Sequence, residues 1–186
     1  MSGPYFQPNW AAFIYQGVPY DLAHLNEYEL TVNDTATCDR RIAVTFSDHC
    51  FTRNPAPGDD AGLLYPASDR KPGHFCFERY TQSLSLTAHI AKAVDGKVWT
   101  VREDAFAILP TVDQSGRGVF YTIMFSLDRA TGLPVHLHMR IKTAYPAETP
   151  PVTHGDVRFR HLVALRMQRQ SPGRITGQHR RVPRLG

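Results

Sequence analysis

His136, His138, Arg140 and Lys142 alternate along one short stretch with Val135, Leu137, Met139 and Ile141. In a β-strand successive side chains point to opposite faces. The spacing therefore predicts one apolar face and one row of basic groups. Such a row can do several kinds of work. Arg and Lys neutralise phosphate, and an imidazole titrating near neutrality suits acid–base catalysis. Metal-free cleavage of RNA needs a base for the 2′-hydroxyl, a cation for the phosphorane charge and an acid for the leaving oxygen. His, Arg, Lys and Tyr side chains can fill those roles, and Tyr145 closes the stretch. A second chemistry is metal binding, because His136 and His138 form an H-x-H pair, with His49, Cys50, His74 and Cys76 as further ligands. Their spacing matches no zinc motif, and the expectation is no metal and no cofactor. A third reading gives the row no chemistry, since the exposed face of an antiparallel sheet is ordinarily polar.

Two other stretches carry reactive side chains. Ser47-Asp-His-Cys-Phe-Thr-Arg53 reads as a strand running into a loop, with His49 and Arg53 at its end. Strand ends that open into loops are common places for catalytic groups. A thiol beside a histidine can become nucleophilic, but adjacent strand residues face opposite ways, and burial is the commoner fate of cysteine. In His74-Phe-Cys-Phe-Glu-Arg-Tyr80, Glu78 suits a helix N-terminus, and Arg79 and Tyr80 either point towards a site at that end or only pack at its edge, the second reading being slightly favoured.

The elements that must position these groups follow from periodicity and turn residues. Residues 1–26 read as an irregular arm, and 27–32 with 41–46 as a strand pair. Residues 54–73 hold four prolines and three glycines and read as a long loop. A helix is predicted over 77–94 from the stripe Leu84, Ala88, Ile90, Ala91 and Val94, stopped by Asp95-Gly96 with a left-handed glycine cap. Strands are predicted at 97–102, 105–109, 119–127 and 135–144, with Asp128-Arg-Ala-Thr-Gly132 as a hairpin turn. Residues 157–167 begin as a strand and turn helical. The fold class is α+β: one main helix packed on an antiparallel β-meander, with an N-terminal strand pair and a long Pro-rich loop. Residues 1–169 form a single domain, and 170–186 a basic tail whose composition favours flexibility.

From Asp156 onward eight arginines stand against one aspartate, a sum of +7, so the chain's net +4 leaves −3 on the first 155 residues. That asymmetry fits an anionic partner, nucleic acid first, with Arg158, Arg160 and Arg166 as phosphate contacts, and equally a solvated tail that keeps the protein soluble. No run of 18 apolar residues predicts a membrane span, and no signal peptide is legible at the N-terminus. Cysteines at 38, 50 and 76 form no disulfide pattern, which favours a reducing cytoplasm.

The stretch Arg140-Ile-Lys-Thr-Ala-Tyr-Pro146, with a helix followed by an antiparallel meander over residues 77–167, resembles the small ribonuclease-toxin fold of RelE-type messenger-RNA interferases, EndoU-like nucleases and barnase. The resemblance implies metal-free RNA cleavage with Arg140, Lys142, Thr143 and Tyr145 at or near the site, and a neutralising protein partner. The expectation is thus a cytoplasmic RNA-binding protein, with metal-independent endoribonuclease activity of toxin type as an open further step. His136, His138 and Arg140 lead the candidates, supported by Lys142, Tyr145, His49, Arg53 and Arg79. The alternatives are a non-enzymatic protein-binding or regulatory module and a metal-dependent enzyme on the H-x-H pair.

Overall fold

Alternating apolar side chains set the centre of the molecule. The computed structural model describes residues 5–36, 38–66, 72–101, 104–112, 116–149 and 155–170. Along the chain run β1 (Phe13–Tyr15), β2 (Val18–Tyr20), β3 (Tyr28–Asn33), β4 (Asp39–Phe46), β5 (Thr52–Arg53), β6 (Leu64–Tyr65) and β7 (Gly73–Phe75). There follow α1 (Phe77–Ser83), α2 (Leu86–Val94), β8 (Lys97–Val101), β9 (Asp104–Val112), β10 (Gly118–Arg129), β11 (Leu137–Ala147), β12 (Gly155–Arg158) and α3 (Phe159–Met167). The class is α+β. Seven strands form one sheet in the order β12-β8-β9-β10-β11-β4-β3, and β5-β7-β6 form a smaller one.

The predicted pairing of the two alternating runs is present. β10 and β11 lie antiparallel with Phe125 opposite Ile141 and Leu127 opposite Met139. The sheet is mixed, however, and not a pure meander. β4 lies beside β11 in parallel, with Ile42 opposite Leu137 and Phe46 opposite Ile141. A parallel neighbour needs a long crossover, and everything between residues 47 and 136 supplies it.

One sheet face builds the core. Ile42, Val44 and Phe46, Tyr121, Ile123, Phe125 and Leu127, and Leu137, Met139 and Ile141 form one buried cluster with Leu86 and Ile90 of α2 and Phe159, Leu162 and Val163 of α3. Burying each of these large side chains is worth roughly 1.5–3 kcal/mol, which fixes both helices on that face. The opposite face, expected to carry the basic row, also buries Ala43, Thr45, Phe120 and Thr122.

Local differences have local causes. The helix expected over 77–94 is broken at Leu84 and Ser85, so the stripe changes phase. Leu86, Ile90 and Ala93 are buried at helical spacing, while Leu84 points outward and is 54% exposed. Gly96 ends α2 without a positive φ, so the left-handed cap is absent. The arm before residue 26 is more regular than expected: Gln16 and Gly17 take φ of 49° and 78° and close a two-residue hairpin between β1 and β2. Residues 67–71 of the Pro-rich loop, and the expected tail beyond Gln170, lie outside the described residues. Among the described residues no helix is long and apolar enough to cross a membrane.

Candidate functional site

The site begins where two strands part. β4 accompanies β11 only as far as Ile141, where Ser47 N–H donates to the Ile141 carbonyl at 2.9 Å. The chain then leaves the sheet in a 3-10 turn, Asp48–Cys50, whose start is capped by the Ser47 hydroxyl accepting from His49 N–H at 3.2 Å. Beyond that point β11 has an edge, and the turn and α1 pack against it. β11 also gains a residue there: Phe125 faces Ile141 but Met124 faces Thr143, so Lys142 is the extra residue of a β-bulge. After the bulge Ala144 is buried opposite Ile123, while Thr143 and Tyr145 share the face of Arg140.

Arg79 holds this edge together. One of its terminal nitrogens donates to the carbonyl of His49 at 3.0 Å and to that of Thr52 at 2.9 Å. Its guanidinium carbon lies 5.8 Å from the centre of the Tyr145 ring, within cation–π range. Thr143 Oγ1 donates to the same His49 carbonyl at 3.4 Å. The His49 side chain is exposed and Tyr145 half-buried. Behind them Tyr121 is buried, and its hydroxyl has no hydrogen-bond partner among the described residues. Burial pushes that phenol well above its ordinary value, the Cys50 thiol adds to the rise, and Arg79 opposes it. The cluster thus offers a fixed cation and a phenol at one sheet edge, tied to the backbone of His49, whose side chain is exposed, with Lys142 beside them in the chain.

The other sequence candidates are placed elsewhere. His136 precedes β11, and its Nδ1 accepts from Arg41 N–H at 2.9 Å, so the ring extends the strand pairing. His138 is half-buried, with Nε2 2.7 Å from Thr45 Oγ1, and the Phe6 ring stacks on it with centroids 3.9 Å apart. Arg140 is exposed on the same face. Arg53 is held by the Asp59 carboxylate and the Asn54 carbonyl. His74 Nδ1 lies 3.2 Å from the same Asp59. Cys50 is fully buried and its thiol is pushed up to about 12 by burial, which suits a core position and not a nucleophile. Arg158, Arg160 and Arg166 sit at or on α3, which packs on the helical face, opposite the face of His138 and Arg140. No group of three or more His, Cys, Asp or Glu side chains among the described residues is arranged to hold a metal.

Sequence reading missed Phe6, Thr45 and Glu27, the partners of His138 and of the N-terminal arm. Phe6 and His138 are 132 positions apart, and no local pattern signals such a contact.

Fold and site together define an α+β protein with helices on one face of a mixed seven-stranded sheet and a cationic site where β11 outruns its neighbour β4. The chain belongs to the YjaZ family, whose model matches residues 12–167. Searches of curated proteins and of solved structures found no match.

Proposed function

We propose that this protein binds RNA along the β11 edge and cleaves it by metal-independent acid–base chemistry. The observation that carries the reading is the meeting of Arg79, the Tyr145 ring and the His49 backbone from three separate segments of the chain. Arg79 and Lys142 supply charge for phosphate, and His49, as the exposed imidazole, is the proton-transfer group. Arg140 extends the cationic track along the same face. All three cysteines are free, in keeping with a reducing cytoplasm. As with other ribonuclease toxins, a neutralising protein would cover the edge. The test is incubation of labelled RNA with the protein in EDTA, beside Arg79→Ala and His49→Ala. Cleavage lost in both folded variants supports the proposal. Binding without cleavage removes the catalytic half of it, and RNA neither bound nor cut overturns it.

A second reading, a protein-binding module, draws on Ile14, Val18 and Leu64, which are 57%, 51% and 48% exposed. A pull-down that survives high salt would favour it.

A further inference from the structure

The chain before β1 carries an aromatic ring that the fold holds still and yet leaves in the open. The Glu27 carboxylate accepts from the backbone N–H groups of Tyr5, Phe6 and Gln7 at 2.7, 2.8 and 3.0 Å. The Gln7 amide returns two bonds to Phe46, donating to its carbonyl at 2.8 Å and accepting from its N–H at 2.9 Å. So fixed, Phe6 lies flat on His138, with ring planes 3° apart. The imidazole is anchored in turn by Thr45. Phe6 nevertheless remains 39% exposed. An apolar ring gains most by burial, and this one is immobilised at the surface.

We infer that Phe6, backed by His138, is a stacking platform for an unpaired nucleobase, and that the ligand of the β11 edge is single-stranded RNA. The inference rests on the RNA reading above and names its substrate class. Bases within a duplex are already stacked and paired, whereas unpaired bases splay onto aromatic side chains. The surrounding charges favour that arrangement. Arg140, two residues along β11 on the same face, is exposed, with no carboxylate in ion-pair range among the described residues. Asp128 lies opposite His138 across the strand pair and is exposed. A phosphate is repelled from Asp128 and drawn to Arg140, while an uncharged base can occupy the Phe6 surface. From Arg140 to Tyr145 the strand spans on the order of 15 Å, room for an extended strand to touch both the platform and the edge.

The test uses the full chain with a short oligoribonucleotide carrying 2-aminopurine at each position in turn, and the duplex of the same sequence. Expected are single-strand binding at least tenfold tighter than duplex binding, and quenching confined to one position. Phe6→Ala should weaken single-strand binding roughly tenfold, and Phe6→Trp should restore it with fluorescence quenched by RNA above the Trp10 and Trp99 background. Equal affinity for the duplex overturns the inference. So does a folded Phe6→Trp that binds RNA with no change in its emission. If Phe6→Ala binds normally while Arg79→Ala does not, the platform is wrong and the edge stands. If the unaltered protein binds neither RNA, the edge reading falls and takes the platform with it.

Discussion

Arg79 and Tyr145 face each other at the end of β11, the guanidinium carbon 5.8 Å from the ring centre, while the same guanidinium ties the backbone carbonyls of His49, in the turn after β4, and Thr52, in β5. One residue therefore serves both the fold and the candidate site. Arg79→Ala should cost about 1.5–3 kcal/mol, the range for hydrogen bonds from a charged donor, and abolish RNA binding. Arg79→Lys restores the charge but not the forked, planar donor, so RNA affinity should recover further than stability. Urea unfolding and anisotropy titrations, run on the same samples, measure the two effects.

Salt dependence isolates the contribution of Lys142. For a single-stranded ligand, removing one phosphate contact lowers the log–log slope of affinity against salt by about 0.7. Lys142→Ala should show that decrease, and His138→Gln at pH 8 should leave the slope unchanged. An unaltered slope in Lys142→Ala would remove Lys142 from the interface.

Acid should loosen the fold through His138. Burial, seconded by Arg140, holds its imidazole below the ordinary value, while Glu27 and Asp128 oppose that shift. The unfolded chain thus takes up a proton near pH 6.5 while the folded protein resists until lower pH, so stability is full above that value and falls as pH drops through the interval. His24 and His89, also lowered by burial, add to the fall. The urea midpoint should be lower at pH 5.5 than at pH 7.5, and His138→Gln should reduce the difference. Equal midpoints at the two pH values would contradict the assignment.

Thiol chemistry separates the cysteines. Cys38 is exposed and Cys50 buried, with the Cys50 thiol pushed up to about 12. Ellman's reagent should titrate Cys38 at once in the native protein and reach Cys50 only in urea, and Cys50→Ala should keep the activity of the edge. Rapid native labelling of Cys50, found by mass mapping, would reinstate it as a nucleophile.

Much of this architecture was legible because it is local. Alternation in β10 and β11 names the buried face correctly from Tyr121 to Leu127 and from Leu137 to Ile141. The switch within residues 157–167 likewise marks where β12 gives way to α3. What escaped is non-local. Nothing in residues 41–46 announces that they lie parallel to β11 and not only against β3. The site was half legible for the same reason. Tyr145 and Lys142 stand out in one stretch, but their meeting with Arg79 and His49 depends on β4 leaving the sheet at Ser47. His136 shows the converse: a basic residue in a striking row whose ring only completes the hydrogen bonding of Arg41.

The bulge at Lys142 acts on β11 as a half-step in a stair. Below it the odd-numbered residues face the helices; above it the even-numbered Ala144 does. Were Lys142 paired as an ordinary strand residue, counting by twos would turn Tyr145 towards the core and Ala144 away from it. Residue 142 thus sets the parity of everything that follows in the strand. Its side chain can be exchanged, and deleting the position would remove the bulge and leave plain alternation, with Ala144 still opposite Ile123 and Tyr145 still on the face of Arg140.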